Sequence, residues 1–159
     1  MRQPGLTAIA VLGFGLLVLT GQQSPTSPAV YTAAQADAGR TAYDSSCRKF
    51  HTETLIGRDG TGEIPDFLQP YAGKIPPLTG ANSAFTPFLT KWGPQKTDVL
   101  YRRIREAAGG FPPPGRKLDE ELCLQLTAYV LQVNGARAGT QPLTAATAVE
   151  IRSVTPAGR

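Results

Sequence analysis

The chain has 159 residues, 41% hydrophobic and 18% charged, which suits one globular domain with a core of its own. Sixteen lysines and arginines against twelve aspartates and glutamates leave a net charge of +4, and no block of like charges stands out. A role in nucleic-acid binding gets little support from so dispersed a balance.

Residues 1–28 read as a segment apart from that domain. Arg2 precedes an apolar run from Thr7 to Leu19, and a polar stretch of Gly, Gln, Ser and Pro follows, the layout of a secretory signal. The run is shorter than the about 20 apolar residues a transmembrane helix needs, so a cleaved signal and no stable membrane span are expected. Export, to a periplasm or beyond the cell, places the two cysteines, Cys47 and Cys123, in an oxidising compartment where a disulfide is one available state.

Thr32-Ala33-Ala34-Gln35 reads as a capping box that opens the first helix. Ala36, Gly39 and Tyr43 recur at helical spacing as its buried stripe. Gly39 costs helix stability, about 1 kcal/mol against Ala, and its presence points to a close helix crossing. The helix runs directly into Cys47 and His51. Residues 52–80 are loop-like, with glycines at 57, 60 and 62 and prolines at 65, 70, 76 and 77. The turn Asp59-Gly60-Thr61-Gly62 lacks the strand and helix of a phosphate loop and the alternating acids of a calcium loop.

A short helix is expected over 83–91, presenting Phe85, Phe88, Leu89 and Trp92. Thr97 can cap the next helix, with Leu100, Ile104 and Ala107 on one face and Arg102, Arg103 and Arg105 on a solvated one. Gly109-Gly110 is its expected stop, and Phe111-Pro112-Pro113-Pro114-Gly115 is a stiff, extended segment. Asp119 caps the last helix, Leu118 can staple onto Cys123, and Leu122, Leu126, Tyr129 and Val133 form its stripe. Asn134-Gly135 ends it. Residues 136–159 are rich in Ala, Thr and Gly and weakly patterned, a tail expected on the surface or disordered. The domain therefore spans 29–135 and is all-α, about four helices with long loops.

The stretch with chemistry is Ser45-Ser46-Cys47-Arg48-Lys49-Phe50-His51. Its frame is the c-type haem attachment sequence Cys-x-x-Cys-His with one letter changed. Cys47 stands at the first thiol and His51 at the iron ligand, while Phe50 occupies the second thiol.

Taken in order, residues 31–135 resemble a class I c-type cytochrome, a small exported cytochrome c domain. The resemblance rests on Gly39-x-x-Ala42-Tyr43 before the attachment site and Pro77-Leu78-x-Gly80 after it. Phe88-x-x-x-Trp92, Gly110-Phe111-Pro112-Pro113, Leu126-x-Ala128-Tyr129-x-Leu131 and Asn134-Gly135 follow. The resemblance implies haem c on a single thioether through Cys47, with His51 as the proximal ligand of the iron. Pro77, Leu78, Trp92 and Phe111 would line the pocket, and Trp92 or Tyr43 could reach a propionate. It also implies an electron carrier or accessory haem protein rather than an enzyme, serving a redox partner such as a periplasmic dehydrogenase or oxidase.

The departures fall on the functional positions. The family's axial methionine corresponds to Phe111, the chain's one methionine is Met1, and its one histidine is His51. Without axial Met the iron potential falls and the distal position is open or weakly ligated. Two other readings stay open at this point. One is a haem-free relic that docks to a dehydrogenase, for which a Cys47–Cys123 disulfide would be the sign, since that bond consumes the thiol haem needs. The other is a five-coordinate haem that binds diatomic gases. Peroxidase chemistry is the weaker version of that idea, with no second histidine to act as distal base.

Overall fold

A computed structural model describes residues 27–110 and 119–155. Its elements are α1 (Ala33–Ser46), α2 (Arg48–His51), a 3-10 helix (Asp66–Tyr71), α3 (Phe88–Trp92), α4 (Thr97–Gly110), α5 (Glu120–Val133) and α6 (Ile151–Val154). Among the described residues β structure is confined to isolated bridges, so the all-α class stands.

The first helix starts where its sequence says it should. The Thr32 hydroxyl accepts from the Gln35 N–H at 3.2 Å, and the Gln35 side chain returns the bond to the Thr32 N–H at 3.4 Å. The same Gln35 side chain also donates to the Leu143 carbonyl and accepts from the Leu143 N–H. One capping residue thus pins the chain's far end to the start of α1. The buried stripe is Ala36, Gly39, Ala42 and Tyr43, and it packs along α5.

Gly39 permits the crossing. A Cβ there would stand 2.5 Å from the Gln125 carbonyl carbon and 3.0 Å from Tyr129 Cβ, so only hydrogen fits. Asp119 caps α5 by accepting from the Leu122 N–H at 2.7 Å, and Gly135 follows the helix with φ +92°. The expected staple partner, Leu118, lies outside the described residues. The helix is buried well beyond the expected stripe, Cys123, Leu124 and residues 126–131 all being covered. The reason is that α5 is enclosed, by α1 on one side and α4 on another.

Two elements differ from their expected bounds. The short helix begins at Phe88 rather than at 83, because Pro87 supplies the entry and Asn82 and Phe85 pair in a bridge instead. In α4, Leu100 and Tyr101 are buried and Ala107 is exposed, so the apolar face is turned one residue from the expected one. The helix also runs through Gly109 and Gly110, the pair expected to stop it. Thr97, the expected cap, is its first residue and is fully buried. Its hydroxyl donates to the Thr147 carbonyl at 2.6 Å and accepts from the Val149 N–H at 3.2 Å, bonds that tie it to the C-terminal segment.

Those bonds belong to the largest departure from expectation. Residues 136–155 are no loose tail: Leu143, Ile151 and Val154 are at most 2% exposed and join Tyr31, Phe88, Leu100 and Leu131 in one core cluster. Backbone bonds from Ile151 to Gln95 and from Arg152 to Gly93, both 2.9 Å, fasten the segment beside α3 and α4. The buried core therefore extends past 135. A second cluster joins Ala42, Tyr43, Leu55, Leu126 and Tyr129, with Cys47 and Leu78 half-buried against it.

Candidate functional site

Cys47 follows α1 directly, its N–H donating to the Tyr43 carbonyl at 2.8 Å. The single turn of α2 then carries His51. A buried crossing therefore fixes the base of the site, because Tyr43 packs against Tyr129 in a tilted pair at 5.5 Å between ring centroids. Phe50, in the second thiol position, is half-buried with the Lys49 ammonium 5.2 Å from its ring centroid.

His51 is held at both its ring and its backbone. Nδ1 lies 2.9 Å from the Pro76 carbonyl oxygen. A carbonyl only accepts, so Nδ1 carries the proton and Nε2 keeps its lone pair. Among the described residues Nε2 makes no hydrogen bond. Burial pushes the imidazole below its ordinary range and opposes the raising effect of the Pro76 bond, so the ring favours its neutral, ligating form. The His51 carbonyl accepts from Gly57 N–H at 3.0 Å. Gly57 needs to be glycine, with φ +71° and the Pro76 carbonyl oxygen 2.5 Å from where a Cβ would stand.

Cys47 is a free thiol, and so is the buried Cys123. Burial first, then the nearby Cys123, raise Cys47 to about 11 while Lys49 pulls the other way. At neutral pH it is a protonated thiol. The disulfide weighed from composition is not formed.

The other expected pocket residues divide into two groups. Leu78 packs with Cys47 on the second cluster, its N–H donating to Leu55 and its carbonyl accepting from the Asn134 side chain at 2.8 Å. Pro77 and Trp92 instead share a cleft of about 380 Å³ with Pro76, Phe85 and Phe88. Trp92 stacks on Phe88 at 6.2 Å, and Lys91 supplies a cation at the same cleft, 5.8 Å from the Trp92 ring. Pro76 belongs to both groups, holding His51 with its carbonyl and lining the cleft. Phe111 lies outside the described residues.

Tyr43 is not available to a propionate. It is buried, and its hydroxyl already donates to the Thr52 carbonyl at 2.5 Å. The loop turn at 59–62 is braced by Asp59, which accepts from Ser83 and from Thr61, both at 2.6 Å. The Ser83 hydroxyl, with Thr61 behind it, holds that carboxyl below the usual range.

Sequence reasoning missed Pro76, Lys91 and Asn134. Only Asn134 leaves a signal, as a helix stop and as part of the family resemblance, and neither points to its bond with Leu78. No three His, Cys, Asp or Glu side chains cluster to hold a bare metal ion among the described residues. A lone imidazole completes a metal site only where the cofactor brings the other ligands, as porphyrin nitrogens do for iron. No helix among the described residues is long and apolar enough to cross a membrane. No protein-family model, curated protein or solved structure matches the chain.

Proposed function

We propose that this chain is an exported cytochrome c-like protein that carries one haem in an electron-transfer context. The observation that supports this best is the 2.9 Å bond between His51 Nδ1 and the Pro76 carbonyl. Metal-ligating histidines regularly donate their second ring N–H to a carbonyl or carboxylate, which fixes the tautomer and raises ligand basicity. A histidine kept only for packing has no need of a fixed Nε2 lone pair without a partner.

The chemistry of Cys47 and His51 supports a haem, and the cleft beside them is joined to His51 through Pro76. His51 would ligate the iron through Nε2, and the Cys47 thiol, protonated and half-buried four residues earlier, would form the single thioether. Leu78 beside Cys47, and Pro77 with Trp92 in the neighbouring cleft, would give the macrocycle apolar walls. Lys91, which lines the same cleft, would be the cation that meets a propionate there. When bound, haem supplies a one-electron redox centre. With His51 the only histidine and Met1 the only methionine, the distal position has no strong ligand of the usual kind. A potential below that of a His/Met centre follows. A partner for such a centre would be a dehydrogenase or oxidase in the compartment to which the chain is exported.

The test is a denaturing gel stained for haem, run on protein matured in a c-type assembly strain, with a pyridine haemochrome spectrum alongside. Stain that survives denaturation, with a band between the c-type and b-type positions, supports one thioether. No stain and no Soret band would remove haem from the account.

A further inference from the structure

The residue after His51 is in an unusual conformation. Thr52 has φ 69° and ψ 171°, a region populated almost solely by glycine and costly for a β-branched side chain. Such backbone persists only where its surroundings over-determine it, and such residues gather at ligand clamps and active sites. The Thr52 carbonyl accepts a long bond from the Leu55 N–H at 3.5 Å and a short one from the Tyr43 hydroxyl at 2.5 Å, so Tyr43 is its main tether. Tyr43 is itself fixed: it is 1% exposed, lies on the α1 face against α5 and packs on Tyr129. Phenylalanine would fill the same core volume, so packing does not account for the hydroxyl. It forms one bond, and that bond lands on the residue joined to His51.

We propose that Tyr43 is a positioning residue for His51, its hydroxyl holding the strained Thr52 so that the imidazole stays on the Pro76 carbonyl with Nε2 presented. This rests on the reading of His51 as the proximal ligand and deepens it. The ring is then fixed from two directions: from Pro76 at Nδ1, and through the backbone from α1. The geometry of the α1–α5 crossing is thereby transmitted to the ligand nitrogen.

The test uses His51 as its own reporter, since a single histidine gives one pair of ring signals, Nδ1 and Nε2, in nitrogen NMR of the full chain. Wild type is expected in the Nδ1–H tautomer, with Nδ1 on the Pro76 carbonyl. Tyr43→Phe should lose the single tautomer and give mixed Nδ1–H and Nε2–H signals. Tyr43→Phe with Thr52→Gly should restore the single tautomer, because glycine adopts the same backbone without the hydroxyl's help. An unchanged tautomer in the single variant overturns the proposal. Failure of the double variant to restore it, with wild-type helicity by circular dichroism, also overturns it. The signal is read on haem-free protein, so loss of the haem assignment and loss of the Tyr43 assignment are separate results.

Discussion

Gly39 of α1 lies directly on the backbone of Gln125 in α5: a Cβ at 39 would stand 2.5 Å from the Gln125 carbonyl carbon. The two helices that carry the thiol side of the site meet at a point that admits no side chain. Gly39→Ala gains about 1 kcal/mol in helix propensity but forces the crossing apart. Overpacking against rigid backbone dominates, and a net loss of about 3 kcal/mol is expected from urea unfolding.

The C-terminal segment gives a second prediction. Ile151 is fully buried in the main core cluster, and its N–H donates to the Gln95 carbonyl at 2.9 Å. Ile151→Ala should cost about 2–5 kcal/mol, the range of a core truncation that leaves a cavity. A residue in a loose tail would cost almost nothing, so the unfolding midpoint separates the two cases directly.

Acid should unfold the haem-free protein through His51. Its imidazole is held below the unfolded value of about 6.5, so the native state binds fewer protons than the unfolded one as pH falls past that value. The neutral ring's contribution is fully present above about pH 6.5 and is lost as pH falls from there through the depressed native pKa. Urea midpoints between pH 8 and 5 should drop for wild type. His51→Gln should flatten that part of the dependence.

The Cys47 thiol, raised to about 11 by burial and the nearby Cys123, holds very little thiolate near pH 8. Alkylation of the native haem-free protein should run on the order of 100-fold slower at Cys47 than at an unperturbed thiol of pKa about 8.5. Raising the pH toward 11 should speed it, read as modification of the Cys47 peptide with time.

What could be read from the sequence was local chemistry. The Thr32–Gln35 box, the Asp119 cap and the small residue at 39 each act on residues within a turn, or mark a contact by their size alone. The C-terminal segment was not legible, because Leu143 stands alone and the single turn Ile151–Val154 is too short to show a helical period. Backbone bonds to Gln95 and Gly93 and the Thr97 hydroxyl hold that segment, and only the folded chain brings these together. Pro76 escaped for a related reason: it serves His51 through a carbonyl, a group every residue carries. Cys47 and His51 stood out because their residue types are rare here and their chemistry is specific, while the Tyr43 hydroxyl, expected within reach of a propionate, bonds the Thr52 carbonyl instead.

The central claim is a covalent one, and peptide mass mapping of protein matured in a c-type assembly strain tests it most directly. The account predicts that the peptide holding Cys47 and His51 carries the mass of one haem and that the Cys123 peptide is a free thiol. An unmodified Cys47 peptide, or one cross-linked to the Cys123 peptide, would contradict it.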